Sequence, residues 1–499
     1  MQNGTLLAAV DLGSNSFRLE IGLLDHGRIR RTEYIKETVR QGNGLDMDRN
    51  LTLDAMQRGW DCLARFGERL AGFEATQVRA VATQTLREAR NRDEFLTRAQ
   101  KILGFPIDVI SGREEARLIY QGVAHLLPQS EERRLVVDIG GRSTELILGQ
   151  GLEARTMESY RVGSVTWSMR YFPDGQFNLR SFEIAEIAAK AVLDEVVNTY
   201  RSDTWDVAYG SSGTIGAVGE VLTAAGWPSG VVTLEGLNWL VDRLLKAQSA
   251  ERLKIEGMKE DRRAVIGGGI SVLRAVFDLL HIKQMEVAQG ALRNGVLYDL
   301  VERDQDLTDL RSTSVQRLAR NFNTDASQAE RLSSVAQRLF TMGSESLPRL
   351  ESERSKRKLA WAAQLHEIGS QISHSDYHKH GAYILDNADA PGFAVHELHR
   401  LSLLVLGHRG KLRKLEADFE DRVFVQQLLC LRLAVILCHA RRDPDLKGLA
   451  FKWDAEPGRQ FTLACRPGWS EAFPQSAHLL REEVLAWQKT AWSLSISDL

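Results

Sequence analysis

Cysteine is scarce. Only Cys62, Cys430, Cys438 and Cys465 occur in 499 residues, and none forms a Cys-x-x-Cys pair. That excludes a disulfide framework, and a reducing, cytoplasmic setting is expected. Long apolar runs are missing too. The longest, such as Leu433 to Cys438, are far shorter than a bilayer span, so no stable membrane insertion is expected. Met1-Gln2-Asn3-Gly4-Thr5 lacks the basic region that opens a signal peptide. There is no excess of one charge: 64 Lys and Arg against 66 Asp and Glu leave a net charge of -2. A global basic field for DNA is therefore excluded, and any polyanion must be met by a local cluster. No low-complexity segment or long Gly/Ser linker separates the parts of the chain, so its domains are expected to pack together.

The chain is too long for one core, so about two to four domains are expected. Residues 1–126 read as α/β, with strands near 6–11, 17–24 and 77–82 and a helix from Leu53 to Leu70. Residues 127–303 repeat that arrangement, with a strand pair around Asp138, a helix from Phe182 to Tyr200, and a strand from Trp205 to Tyr209 entering a turn at 210–214. Composition changes near Asp304, and 304–442 read as helical. A small α+β cap is expected over 443–499, from its tryptophans and the alternation at Gln460-Phe461-Thr462-Leu463-Ala464.

Two segments share one pattern. Ala8-Ala9-Val10 leads into Asp11-Leu12-Gly13-Ser14-Asn15-Ser16, and Leu135-Val136-Val137 leads into Asp138-Ile139-Gly140-Gly141-Arg142-Ser143-Thr144. Each reads as a strand, a tight turn and a second strand. Glycine lets such a turn present its N–H groups to anionic oxygens. The aspartate either caps its own turn or holds a metal ion, directly or through water. Two such turns suggest a duplicated fold closing on one phosphate from both sides, with Gly210-Ser211-Ser212-Gly213-Thr214 as a third small-residue turn.

Between the lobes, Ser111-Gly112 precedes a helix opening with Glu114 and Glu115. Acids there are stabilised by the helix dipole, or one of them faces the cleft as a general base for water. Thr83 and Thr85 fit helix caps; Arg87 and Arg262 either lie solvated or reach a phosphate with their planar forks.

These pieces, in this order, resemble the exopolyphosphatase / guanosine pentaphosphate phosphatase family of the actin-like superfamily. The resemblance rests on Asp11 to Phe17, Thr83 to Arg87, Ile110 to Ile119, Asp138 to Gly141, Ser143 to Leu146, Gly210 to Thr214 and Gly290 to Leu297. It implies two actin-like (ribonuclease H-like) α/β lobes with an interlobe cleft, then an all-α HD-like domain and the small cap. It also implies Mg2+-dependent, processive removal of the terminal phosphate of inorganic polyphosphate. The alternative is hydrolysis of the 5′-γ-phosphate of guanosine pentaphosphate (pppGpp). A kinase on the same fold and a non-catalytic binder of alarmone or polyphosphate are the rival classes.

Carried over by the resemblance, Glu115 is the water-activating base, with Arg87 and Glu145 as catalytic partners. Asp11, Asp138 and Glu145 hold Mg2+, with a monovalent cation such as K+ a further candidate. Ser14, Asn15, Ser16, Gly140, Gly141, Ser143, Thr144, Ser212, Gly213, Thr214 and Arg262 take phosphate. A homodimer is implied. Leu365-His366-Glu367-Ile368-Gly369 resembles an HD metal motif in which Glu367 replaces the aspartate, so a metal-free, structural domain is expected. Ser375 to His380 and Gly407 to Lys411 are basic enough to line a polyanion channel. Two features depart from the family pattern. Arg142 stands where a small residue is usual, and is expected either to crowd the turn or to project onto a phosphate. Gly267-Gly268-Gly269 replaces a Pro-Gly pair and is expected to loosen the following helix.

Overall fold

The computed structural model describes residues 1–303, 309–343, 347–454 and 459–497. The chain divides into two compact units, Met1–Asp309 and Leu310–Leu499. The boundary expected at Asp304 lies in 304–308, outside the described residues.

The first unit holds two sheets. Strands β1 (Leu6–Leu12), β2 (Ser16–Asp25), β3 (Arg28–Thr38), β4 (Val78–Ala82) and β5 (Ile107–Val109) form one, in the order β3-β2-β1-β4-β5. Strands β6 (Arg133–Ile139), β7 (Thr144–Gln150), β8 (Glu153–Tyr160), β9 (Val207–Ser211), β10 (Val231–Thr233) and β11 (Gln284–Val287) form the other, in the order β10-β11-β9-β6-β7-β8. In both, an antiparallel meander joins parallel strands across its first strand. The duplication that residue identity cannot show is therefore plain in the strand order. β1 and β6 are central and buried on both faces, which is why they read as unbroken apolar runs. β3 escapes the sequence reading because it is an edge strand rich in Arg, Glu and Lys, with none of its residues buried.

Each sheet has an outer core of its own, and a third core lies between the sheets. That central core is built on helices Gly112–Ala124 and Leu292–Arg303. They cross so closely that a Cβ on Gly295 would be driven into the Leu118 carbonyl, and one on Gly122 into that of Ala291. Beside the crossing, Asp299 accepts hydrogen bonds from Arg79, Arg117 and Arg303. The site-bearing helix is thus locked to β4 and to the last helix of the unit.

Two boundaries differ from expectation. The helix expected over 182–200 runs Leu179–Leu193 and is followed by a short turn of helix, Val196–Thr199. The expected turn at 210–214 is the end of β9 joined directly to helix Ser212–Ala224, with Ser212 at a φ of 81°.

The second unit is helical, with one three-stranded sheet: β12 (Ala450–Asp454), β13 (Gln460–Ala464) and β14 (Ser493–Ser497) in that order. Sheet and helices share a single core, in which Phe461 packs on Phe451, Trp487 and Trp492. Among the described residues no helix is long and apolar enough to cross a membrane.

Candidate active site

The two turns face each other across a cleft of about 500 Å3. Asp11, Ser14, Asn15 and Ser16 line it from the first lobe; Asp138, Gly140, Gly141 and Ser143 line it from the second. Buried Asn15 Nδ2 and Ser16 Oγ make no hydrogen bond within the protein, so the first turn holds donors without an acceptor. The ladders give the two aspartates opposite neighbours. Asp11 stands across from Arg18 and accepts from it at 3.1 Å; Asp138 stands across from Glu145. One turn is close to neutral, and the other gathers negative charge.

Helix Gly112–Ala124 starts at Ser111, whose hydroxyl accepts from the Glu114 N–H at 3.1 Å. The cap fixes which acid faces where. Glu114 is fully buried and accepts both prongs of Arg117 at 2.8 Å. Glu115 turns into the cleft. Burial raises its carboxyl above the ordinary value, while Arg87 opposes that shift. Arg87 itself does not line the cleft. Its Nη1 donates to Glu115 at 2.7 Å and to the Ile110 carbonyl at 2.9 Å, so it holds the base and not a phosphate. Thr83 makes no side-chain cap and instead lines the cleft.

Ser212, Gly213, Thr214 and Arg262 also line the cleft. The Ser212 and Thr214 hydroxyls both donate to the Ile139 carbonyl, at 2.8 and 2.9 Å, so they tie the third segment to the second turn. The Arg262 guanidinium lies directly on Gly213, where a Cβ would collide with it. Burial, and then the charge of Arg18, lower Arg262 from its ordinary value. Two guanidiniums that close together make a site for an anion. Thr144 takes a different place: its buried hydroxyl donates to the Val162 carbonyl at 2.6 Å, just past the end of β8. Glu145 sits behind the cleft wall and accepts from Ser159 at 2.7 Å.

Several lining residues escaped the sequence reading: Arg18, Tyr34, Lys36, Lys259 and Arg293. Arg18 carried a signal, as one of two charges, with Glu20, near the start of a largely apolar strand. Tyr34 and Lys36 come from the polar edge strand β3, Lys259 from a loop and Arg293 from the start of helix Leu292–Arg303, where polar residues are ordinary. Arg293 lies 5.0 Å over the Tyr34 ring, and Lys36 pairs across the cleft with Asp261 at 2.6 Å.

Four buried acids, Asp11, Glu115, Asp138 and Glu145, lie within electrostatic reach of one another. Burial, aided by Glu115 and Asp11 against Ser211 and Arg18, pushes Asp138 up to about 7. Burial, with Glu115 and Asp138, also pushes Glu145 well up. Such a set of hard oxygens, in which Asp138 and Glu145 are raised in part by their acidic neighbours, suits a divalent cation, which would favour their ionised form. Among the described residues no three His, Cys, Asp or Glu side chains converge as a complete ligand set.

Arg142 lines the cleft, but its guanidinium is taken up by protein partners. It reaches the first lobe and donates to Glu88 at 2.7 Å and to the Gly42 carbonyl at 3.0 Å. Gly267, Gly268 and Gly269 do not loosen their helix. They lie within Ile266–Leu279, and the Gly268 N–H donates to Ser168 Oγ at 3.0 Å as that helix packs on Ser164–Tyr171. In the second unit, His366 and His408 are buried with Nδ1 bonded to backbone carbonyls, and Glu367 pairs with Arg441 at 2.7 Å. Of the basic segments there, His378 is buried and Arg409 stacks on Tyr377.

The model of the Ppx/GppA phosphatase family matches residues 25–304, and that of its domain III matches 310–484. The chain is 39% identical, over 98% of both lengths, to guanosine-5'-triphosphate,3'-diphosphate pyrophosphatases of two Vibrio cholerae strains. An exopolyphosphatase structure from Cytophaga hutchinsonii is 26% identical with a TM-score of 0.54, covering 60% of this chain and 98% of that one. The Aquifex aeolicus PPX-GPPA enzyme is 25% identical with a TM-score of 0.50, covering 59% and 99%. A hydrolase of phosphoanhydride bonds, with its actin-like lobes and helical third domain in the expected order, this chain belongs to the Ppx/GppA phosphatase family.

Proposed function

We propose that the protein removes the 5′-terminal phosphate of pppGpp, leaving ppGpp and orthophosphate. The full-length identity to curated pppGpp pyrophosphatases carries this reading. It reverses the order expected from sequence, in which polyphosphate came first. A rim with Tyr34, Lys36, Lys259 and Arg293 beside the two turns offers an aromatic face and added cations for a nucleotide.

In this reading the terminal phosphate sits between the turns, against Ser14, Asn15, Ser16, Gly140, Gly141 and Ser143. Glu115 takes a proton from a water aligned with that phosphorus. The water oxygen bonds to phosphorus as the bridging oxygen leaves on the β-phosphate. Arg18 and Arg262 neutralise the charge that spreads over the phosphate oxygens. Arg87 keeps Glu115 ionised and aimed. The family is divalent-metal dependent; Mg2+ held by Asp11 and Asp138, with Glu145 behind them, would supply charge neutralisation and orientation of the phosphate. A homodimer remains part of the proposal, and sedimentation would read it.

The test is phosphate release from pppGpp and from long-chain polyphosphate under one Mg2+ concentration. Higher kcat/KM on pppGpp, with ppGpp as product, is expected. Brisk polyphosphate hydrolysis with idle pppGpp would restore the reverse order.

A further inference from the structure

Arg142 begins a chain of contacts that ends on the base. Its Nη2 and Nε donate to Glu88 Oε2 at 2.7 and 3.2 Å. The other oxygen of Glu88 accepts from Gln84 Nε2 at 2.6 Å. Gln84 Oε1 accepts from Arg87 Nη2 at 2.6 Å and from Nε at 3.1 Å. Arg87 Nη1 then donates to Glu115 at 2.7 Å. The charges alternate along the path: Arg142, Glu88, Arg87, Glu115. All four side chains are largely shielded, between 10% and 17% exposed, so the links keep their directionality against water.

The remaining prong of Arg142 lands on Gly42, whose N–H donates to the Ser14 carbonyl at 2.8 Å. One side chain from the second turn thus touches both the backing of the first turn and the far end of the path to Glu115. Gly42, Ser14, Glu88 and Glu115 all precede β6, whereas Arg142 follows it. The chain is therefore complete only when the two lobes stand at this separation.

We propose that Arg142 is a positioning residue for hydrolysis, locking the lobes at the reactive separation and fixing the Arg87–Glu115 pair through Glu88 and Gln84. It touches no reacting atom. A small residue at the same place would leave Glu88 without this cation and Gln84 free to turn, and Arg87 would then lose the partner that fixes its second edge. Lysine cannot replace it, since one ammonium cannot follow the planar fork onto both Glu88 and Gly42.

This inference rests on Glu115 being the base, and its test is separable from the choice of substrate. The full chain, on whichever of pppGpp and polyphosphate the wild type hydrolyses faster, is compared with Arg142→Ala, Arg142→Lys, Gln84→Ala and the Arg142→Ala/Gln84→Ala pair. Arg142 and Gln84 do not touch, so the pair reads the path and not a contact. Arg142→Ala is expected to lower kcat about 10- to 100-fold with KM within about two-fold, the scale of a base displaced by up to an ångström. Lysine should restore only part of it. The double variant should be no slower than the slower single. A rise in KM at unchanged kcat would make Arg142 a direct phosphate ligand and overturn the proposal. So would losses that multiply in the pair, or wild-type kinetics in Arg142→Ala. Thermal unfolding identifies any variant that fails to fold, and Glu88→Gln then replaces it in the cycle. If Glu115→Gln keeps wild-type turnover, the base reading fails first and by itself.

Discussion

Glu115 accepts a 2.7 Å hydrogen bond from Arg87, while its neighbour Glu114 faces the opposite way onto Arg117. Two adjacent acids on one helix thus serve different ends, one in the cleft and one in the frame. Replacing Glu115 by Gln keeps the shape and a weaker contact to Arg87 but removes the proton acceptor. The chemical step should slow by about 100- to 10,000-fold, with substrate affinity largely kept. Single-turnover phosphate release beside equilibrium binding of the substrate separates the two. Unimpaired single-turnover chemistry would take the base role away from Glu115.

The same contact sets an acid limb. Burial raises the Glu115 carboxyl and Arg87 pulls it down, with a net rise. The base works ionised, so kcat/KM should fall as pH drops through a pKa above the free glutamate value of about 4.3. Arg87→Gln removes the opposing cation. The limb should then move to higher pH, beyond any drop in amplitude. A profile that keeps its midpoint in that variant would break the electrostatic link between the two residues.

How far this site was legible depends on where each residue sits. The turns at Asp11 and Asp138 could be read because a strand, a glycine and small polar residues leave a linear pattern. Glu114 and Glu115 could not be told apart from their spacing. The Ser111 cap and the Arg117 fork, a turn further on, decide it. The partners of Arg142 were not legible for a similar reason. These, Glu88 and Gly42, lie far away in sequence and meet it only in the folded chain, from the other lobe. The doubled sheet was legible in outline, but its polar edge strand β3 was not, because an edge exposed to water needs no apolar alternation.

Asp299 gives a stability prediction away from the chemistry. Burial alone would raise its carboxyl, but Arg79, Arg117 and Arg303 outweigh that and hold it far below the ordinary range. A depressed carboxylate lends stability above its unfolded pKa of about 3.9 and loses that contribution as pH falls through the folded value. At neutral pH, Asp299→Asn leaves three guanidiniums short of one anion. The first unit should lose about 3–5 kcal/mol, the scale of breaking a buried ion pair. The gap to the wild type should narrow in acid, below about pH 4. Urea unfolding at pH 7 and pH 3 measures both, and an equal gap at the two values would contradict the assignment.

Gly213 and Arg262 carry the last prediction. The guanidinium rests where a Cβ of residue 213 would stand. Gly213→Ala must therefore push Arg262 off its seat in the cleft, while Thr214 can keep its bond to the Ile139 carbonyl. If Arg262 helps to hold the phosphate chain, KM should rise about ten-fold, or about 1.4 kcal/mol of lost binding. The Glu115 proton transfer should be touched less, so kcat should move less than KM. Arg262→Ala in the Gly213→Ala background should then add little, because the displaced guanidinium has already left the substrate. A full further loss in that double variant would mean that Arg262 still reaches the phosphate, and that Gly213 shapes the turn for another reason.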